Sequence, residues 1–207
     1  MACDAIWTHQ CSFYFYETDE QILRPFINQF VVVYFDDILV YSSSEEDHLR
    51  HVKAVLQALR DNQVYANLKK CEFHTNSVTF LGYIVSSQGL QVDESKIEAI
   101  ISWEPPQSVP EMRRFLGLCG FFRRFIKDFS VIASPLTSLL KKNSKYMWSP
   151  KCQQAFDDLK RRLMTAPILA LPNFDHTFEV ECDASGTGMG AVLLQNGKAI
   201  AFHSEKF

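Results

Sequence analysis

The chain has 207 residues, of which 47% are hydrophobic and 22% charged, with a formal net charge of −3. That length holds one large domain or two small ones around an apolar core, and the slightly acidic balance does not by itself mark a nucleic-acid binder, so any such contact must rest on local basic patches. Six cysteines without a C-x-x-C pair argue against a zinc site or a disulfide scaffold, and neither a leader peptide nor a bilayer-length apolar run is visible, so an intracellular protein of the cytoplasm or nucleus is expected.

Residues 1–21 are rich in Cys, Tyr, Phe and Thr and have no clear period. The most informative stretch lies just beyond them. Val31-Val32-Val33-Tyr34-Phe35-Asp36-Asp37-Ile38-Leu39-Val40-Tyr41-Ser42 places two adjacent carboxylates between two strand-like blocks. Asp36 and Asp37 are therefore expected at the tip of a buried hairpin. Neighbouring carboxylates repel, and a divalent cation is the commonest way to keep both ionised, which suggests half of a metal site for phosphoryl chemistry. A polar turn that happens to hold two acids is the simpler alternative.

Ser43 with Glu46 fits a capping box, and Leu49, Val52, Val55, Leu56 and Leu59 continue at helical spacing up to Asn62. His48 and His51 are three apart on this helix; with no third ligand near, a solvated helix face is the simpler reading than a metal site. Val64-Tyr65-Ala66 and residues 78–85 read as strands, with a turn at Ser86-Ser87-Gln88-Gly89 and a returning strand to Val92. Asp93 caps a short helix that Trp103-Glu104-Pro105-Pro106 ends. Ser108 starts the next, with Pro110 tolerated in its first turn. Gly117 and Gly120 mark a bend or an end. Further helices are predicted over residues 121–129, 135–140 and 150–165, then a proline-punctuated linker over 166–177. From Phe178 the period becomes two. Strands over 178–182, 191–195 and 198–204 are expected, the last two joined by Asn196-Gly197. Three strands leave a mixed sheet looking unfinished.

Basic residues concentrate in the middle of the chain. Arg113, Arg114, Arg123, Arg124 and Lys127 lie among Phe115, Phe121, Phe122 and Phe125, and Lys141, Lys142, Lys145 and Lys160-Arg161-Arg162 come after them. Such helices can track phosphates without sequence preference. The phenylalanines fall at helical spacings, which favours core over base-stacking platforms.

Tyr34-Phe35-Asp36-Asp37 with Ile38-Leu39-Val40-Tyr41-Ser42 resembles the polymerase motif of reverse transcriptases, most of all those of gypsy-type LTR retrotransposons. Phe80-Leu81-Gly82-Tyr83-Ile84-Val85, Val92-Asp93 through Lys96-Ile97, Trp103-Glu104-Pro105-Pro106, Arg114-Phe115-Leu116-Gly117-Leu118, Phe121-Phe122-Arg123-Arg124-Phe125-Ile126, Trp148 and Cys182-Asp183-Ala184-Ser185 recur in the family's order, from about Ile22 to Phe207. The resemblance implies an α+β chain. Its parts would be a truncated palm hairpin with strands (22–92), a helical thumb and connection (93–165), the linker (166–177) and a partial RNase H-like sheet (178–207). It implies RNA-directed DNA synthesis and cleavage of RNA in RNA–DNA hybrids, with Mg²⁺ as cofactor. The partners would be an RNA–DNA or DNA template–primer duplex and dNTPs. Asp36, Asp37 and Asp183 become the metal-binding catalytic acids. Phe80, Leu81, Gly82 and Tyr83 support the primer end, and Arg113, Arg114, Arg123, Arg124 and Lys127 grip the duplex.

Both carboxylate sets lack members by the family's pattern. A further polymerase aspartate belongs on a strand before the hairpin, and neither Asp4 nor Asp19 has that strand's apolar context. Glu205 does not match the nuclease glutamate. The chain is thus expected to be inactive alone, the alternatives being a non-enzymatic nucleic-acid binder or a non-functional product of a decayed element. Back-translation of residues 4–21, read one base out of phase, can give the family's substrate-side loop and helix. Residues 1–21 are accordingly expected to be frameshift-derived and without a fold.

Overall fold

The computed structural model describes residues 2–7, 16–142 and 145–207. They form two compact units, residues 1–88 and 89–207.

The first unit is built on a four-stranded antiparallel sheet. Its strands are β1 (Ala2–Trp7), β2 (Val31–Tyr34), β3 (Asp37–Ser42) and β4 (Glu72–Thr75), in the order β2-β3-β1-β4. β2 and β3 are the predicted hairpin, with Val31 opposite Val40 and Tyr34 opposite Asp37. Helix α1 (Tyr16–Leu23) precedes the hairpin, and α2 (Glu45–Asp61) comes after it and packs on β3. Ile6, Val31, Ile38 and Val40 from the sheet meet Leu23, Val55 and Leu59 from the helices in one core. Each such side chain contributes about 1.5–3 kcal/mol by leaving water. The α2 cap sits one residue later than predicted. Ser44 is the N-cap and its Oγ accepts from the Asp47 N–H at 3.2 Å, because the chain stays extended through Ser44 before it turns.

The expectation that residues 1–21 have no fold is corrected by β1, an interior strand, and α1, a regular helix. Burial explains the strand: Cys3, Ala5 and Ile6 are all sealed from solvent. Residue 1 and residues 8–15 lie outside the described residues, so that expectation is untested there. Residues 64–66 do not form a strand; the next strand along the chain is β4, set by pairing with β1. The single strand predicted over 78–85 is a hairpin, β5 (Ser77–Phe80) and β6 (Tyr83–Ser86), with Phe80 opposite Tyr83. Leu81 and Gly82 turn the chain at φ 53° and 78°, the left-handed pair that a two-residue hairpin turn uses.

The second unit runs through β7 (Gly89–Val92), α3 (Glu94–Ile101), α4 (Val109–Phe121) and a 3₁₀ turn at Arg123–Phe125. Next come α5 (Phe129–Ile132), α6 (Ser134–Ser138) and α7 (Pro150–Met164), then β8 (Glu179–Ser185), β9 (Gly188–Gln195) and β10 (Lys198–Lys206). Asp93, Ser108 and Ser149 cap α3, α4 and α7 through their side-chain oxygens. α4 continues through Gly117 and ends at Phe121, one residue after Gly120, and the helix predicted over 121–129 is the 3₁₀ turn and the start of α5. Phe115, Phe122, Phe125 and Phe156 are buried, with Phe115 and Phe156 rings 4.6 Å apart, so these aromatics are core as their spacing indicated. Phe121 is the exception at 52% exposure.

The boundary between the units falls just before β7 rather than after Val92. Leu90 and Leu169 exchange both backbone hydrogen bonds, at 2.8 and 3.0 Å. The segment over 166–177 is therefore no free linker. Leu169 is fully buried, Ala170 N–H donates to the Ala199 carbonyl, and the buried Gln195 amide bonds the backbone of Asn173 and His176. The three last strands are ordered β10-β9-β8, and all seven residues of β8 are exposed.

Candidate polymerase and nuclease centres

Asp36 and Asp37 stand where the hairpin predicts them. Phe35 and Asp36 are the two turn residues and Asp37 opens β3. Phe35 has φ 50° at the first turn position, where hairpins favour glycine. A non-glycine residue held there costs of order 1–3 kcal/mol, a strain typical of functional turns. Tyr34 and Phe35 are largely exposed and meet edge to face at 4.8 Å. Partial burial pushes the Asp37 carboxyl above its ordinary range, the Asp36 charge pushes it further, and Lys70 opposes both. An acid pair that resists double ionisation is what a divalent cation relieves. Lys70, which no motif singled out, is brought to Asp37 only by the fold.

A third acid does not join this pair among the described residues, where no group of three or more His, Cys, Asp or Glu side chains is placed to hold a metal ion. Trp7 is the register partner of Asp37 on β1. Asp4 pairs with Val40 instead, three residues away along β3 and so about 10 Å distant on the opposite face of the sheet. The residues between Trp7 and Tyr16 include no Asp or Glu.

Asp4 has different company. It is buried, its Oδ1 lies 2.8 Å from His48 Nε2, and it accepts the His74 backbone N–H. His48 is 1% exposed, so the solvated helix face expected of His48 and His51 is overturned for His48. The sheet explains this. β1 places a carboxylate against α2, and β3 adds Ser42, whose Oγ lies 3.1 Å from His48 Nδ1 and 2.8 Å from His51 Nδ1. His51 is half-buried and stacks on Phe30 at 3.7 Å.

Asp183 lies in the exposed strand β8, opposite Gly190 of β9. Opposed residues project from the same face. A Cβ at Gly190 would lie 2.9 Å from Asp128 Oδ1, so the Asp128 carboxylate fills the space beside Asp183. Asp128 adopts φ 62° just before α5. Both acids line a cleft of about 470 Å³ together with Lys127, Glu181, Ser185 and Thr187. No sequence motif signals Asp128; its position depends on α5 packing on β10.

The other predicted residues divide. Phe80 is buried and Leu81-Gly82 form the hairpin tip, so Phe80, Leu81, Gly82 and Tyr83 make a turn rather than part of one long strand. Arg113, Arg114, Arg123, Arg124 and Lys127 are all exposed, on α4, on the 3₁₀ turn and just beyond it. Lys160 is not part of a solvent-facing patch. Its Nζ donates to the Ile101 carbonyl at 2.9 Å and to that of Trp103, and lies 4.3 Å from the Phe156 ring centre. Burial lowers its pKa.

A paired acid hairpin on an antiparallel sheet, then helices and a three-stranded sheet with an aspartate on its first strand, is the layout of a reverse transcriptase joined to an RNase H-like domain. The family described as reverse transcriptase (RNA-dependent DNA polymerase) matches residues 10–85, and the RNase H-like domain found in reverse transcriptase matches residues 148–207. The first match begins inside the stretch that by sequence looks unlike the family, and the second includes α7. The retrovirus-related Pol polyprotein from transposon 297 of Drosophila melanogaster is 42% identical over 185 residues, covering 88% of this chain and 17% of that protein. The transposon Tf2-3 polyprotein of Schizosaccharomyces pombe is 40% identical over 165 residues, covering 80% and 12%. In fold, the chain matches a foamy viral protease-reverse transcriptase solved with double-stranded DNA, at TM-score 0.88 and 21% identity, over 100% of this chain and 43% of that one. A foamy viral protease-reverse transcriptase solved with an RNA/DNA hybrid matches at TM-score 0.87 and 20% identity, over 100% and 33%. The chain thus belongs to the reverse transcriptase and RNase H-like family of LTR retrotransposon polyproteins, and spans less than a fifth of the length of these two relatives. No helix among the described residues is long and apolar enough to cross a membrane.

Proposed function

We propose that this chain binds a template–primer duplex and carries part of the apparatus for RNA-directed DNA synthesis and hybrid cleavage, without completing either reaction alone. The observation that carries this reading is the placement of Asp4. The one described acid on the strand beside Asp37 faces α2 and is paired with His48, so it does not join Asp36 and Asp37.

Asp36 and Asp37 fit a Mg²⁺ ion that keeps several waters and draws its other oxygens from nucleotide phosphates. They do not by themselves fit the two-ion cage of phosphoryl transfer, in which the ions stand roughly 3.5–4 Å apart. When bound, Mg²⁺ would neutralise phosphate charge and orient the triphosphate of a dNTP. The chain's own part is to hold both carboxylates at a constrained turn, with Lys70 easing their repulsion. Asp183, with Asp128 beside it, is the corresponding partial nuclease centre. Arg113, Arg114, Arg123, Arg124 and Lys127 would contact duplex phosphates, and the Phe80-Leu81-Gly82-Tyr83 turn would support the primer end.

Primer extension on an RNA template with Mg²⁺ tests the catalytic half. The expected result is no incorporation above background, and incorporation that Asp36→Asn abolishes would overturn it. A gel shift on an RNA–DNA hybrid tests the binding half. Salt-sensitive retention, weakened by Arg123→Ala with Arg124→Ala, is expected. No retention at low salt would favour a non-functional remnant instead.

A further inference from the structure

The order Asp4, His48, Ser42 looks like that of a nucleophilic triad, but Ser42 is 4% exposed and its hydroxyl is held between two imidazoles. It cannot meet a substrate. The group is a sealed polar chain joining β1, β3 and α2, and its hydrogen-bond arithmetic gives it a different role.

A serine hydroxyl has one proton to donate. Ser42 Oγ lies within hydrogen-bond distance of Nδ1 on both His48 and His51, so it donates to one ring and accepts from the other. If it donates to His51, His48 must carry a proton on Nδ1. His48 Nε2 faces only the Asp4 carboxylate and has no hydrogen-bond partner of good geometry, so a bare Nε2 there would set a lone pair against an anion. His48 is then doubly protonated and His51 neutral. If Ser42 donates to His48, His48 is neutral with its proton on Nε2, and His51 carries the Nδ1 proton. Charging both rings would leave the buried hydroxyl proton without an acceptor and set two cations across one oxygen.

We propose that Asp4, His48, Ser42 and His51 form a one-charge relay that latches β1 into the sheet. The two rings together take up one proton: the charge settles on His48, and reversal of the Ser42 hydroxyl and a change of His51 tautomer accompany its arrival. With the charge on His48, β1 is tied to α2 by a buried ion pair to Asp4. Without that proton both rings are neutral, Ser42 accepts from His51 Nδ1 and donates to His48 Nδ1, and the tie to Asp4 loses its ion-pair character. The other titratable groups around the relay are Cys3 on β1, Tyr41 on β3, His74 on β4, and Glu45 and Asp47 on α2. Glu45 is already paired with His74 at 3.2 Å, and Asp47 is bonded to Ser44 and Arg50. None of them offers a second acceptor to His48 Nε2. Because β1 is the neighbour of the strand that carries Asp37, the latch would make order at the hairpin respond to proton concentration.

The test is ¹⁵N NMR of the histidine rings in the full chain across the pH range in which they titrate, with hydrogen exchange of the β1 amides. His51 should change from an Nδ1-protonated to an Nε2-protonated neutral ring as His48 gains its second proton. Over that interval the two rings together should take up one proton rather than two. Ser42→Ala should let both rings titrate independently, and Ser42→Thr should restore the coupling. Asp4→Asn should lower β1 amide protection roughly tenfold. Simultaneous full charging of both rings while β1 stays protected would overturn the proposal, as would ring titrations unchanged by Ser42→Ala. No readout involves polymerase or nuclease activity, so these results are independent of the reading under Proposed function.

Discussion

Asp4 and Asp37 lie on adjacent strands of one sheet and face opposite ways. Asp4 is opposite Val40, and the odd interval between Val40 and Asp37 turns one carboxylate toward α2 and the other away from it. That relationship separates the acid of the hairpin from the acid of the relay, and each can be measured by itself.

Asp37 is held above its ordinary range by burial and by Asp36. The folded protein therefore binds this proton more tightly than the unfolded chain does. Ionising the group costs stability as pH rises through the folded value, and the cost is absent below the unfolded value. Asp37→Asn should raise the melting temperature of the metal-free protein at neutral pH, with the gain vanishing in acid. Thermal melts across pH check this; a variant less stable than wild type at neutral pH would refute it.

Divalent cations should act in the opposite sense on the same pair. Mg²⁺ or Mn²⁺ that binds the folded state stabilises it by mass action, about 2.7 kcal/mol at a hundredfold excess over Kd. The wild type should gain melting temperature on titration with Mn²⁺, and Asp36→Asn with Asp37→Asn should lose the response. Equal shifts in both proteins would show that the ion binds elsewhere.

The N-cap of α2 is a local test of the first unit. Ser44→Ala removes the acceptor for the Asp47 N–H and should cost about 0.5–2 kcal/mol in urea unfolding. Ser43→Ala should be close to neutral, because Ser43 is exposed and precedes the cap.

Gly89 is a backbone necessity. It sits at φ +136°, and a Cβ there would come within 2.2 Å of the Leu169 carbonyl oxygen. Gly89→Ala should break the Leu90–Leu169 bond pair and destabilise the protein by more than about 2 kcal/mol. Loss of amide protection at Leu90 and Leu169 would locate the damage.

Lys160 serves packing rather than phosphate binding. Lys160→Met should lower stability by leaving the Ile101 and Trp103 carbonyls without this donor. Duplex affinity of the folded fraction should stay within about twofold, because the charge is turned inward.

Much of the chain was legible in order. The β-branched blocks around Asp36 and Asp37 announced the hairpin, and Asn196-Gly197 announced the β9–β10 turn. Asp93 and Ser108 marked helix starts, since caps, turns and periods are carried by residues two to four apart. The Leu81-Gly82 turn was hidden because a two-residue hairpin inside an apolar run preserves the strand pattern on both sides. β1 was invisible for a different reason. Its short mixed sequence becomes a strand only by pairing with β3 and β4, 30 to 72 positions along the chain.

By itself the sequence determined the family, the acid hairpin, the caps of α3 and α4 and the basic helical surface. Tertiary structure alone decided which strand flanks Asp37, that His48 is buried against Asp4, and that Asp128 stands beside Asp183. The reason is physical: periodicity fixes which face of an element is apolar, whereas strand order and register come from contacts between distant segments that no local pattern encodes.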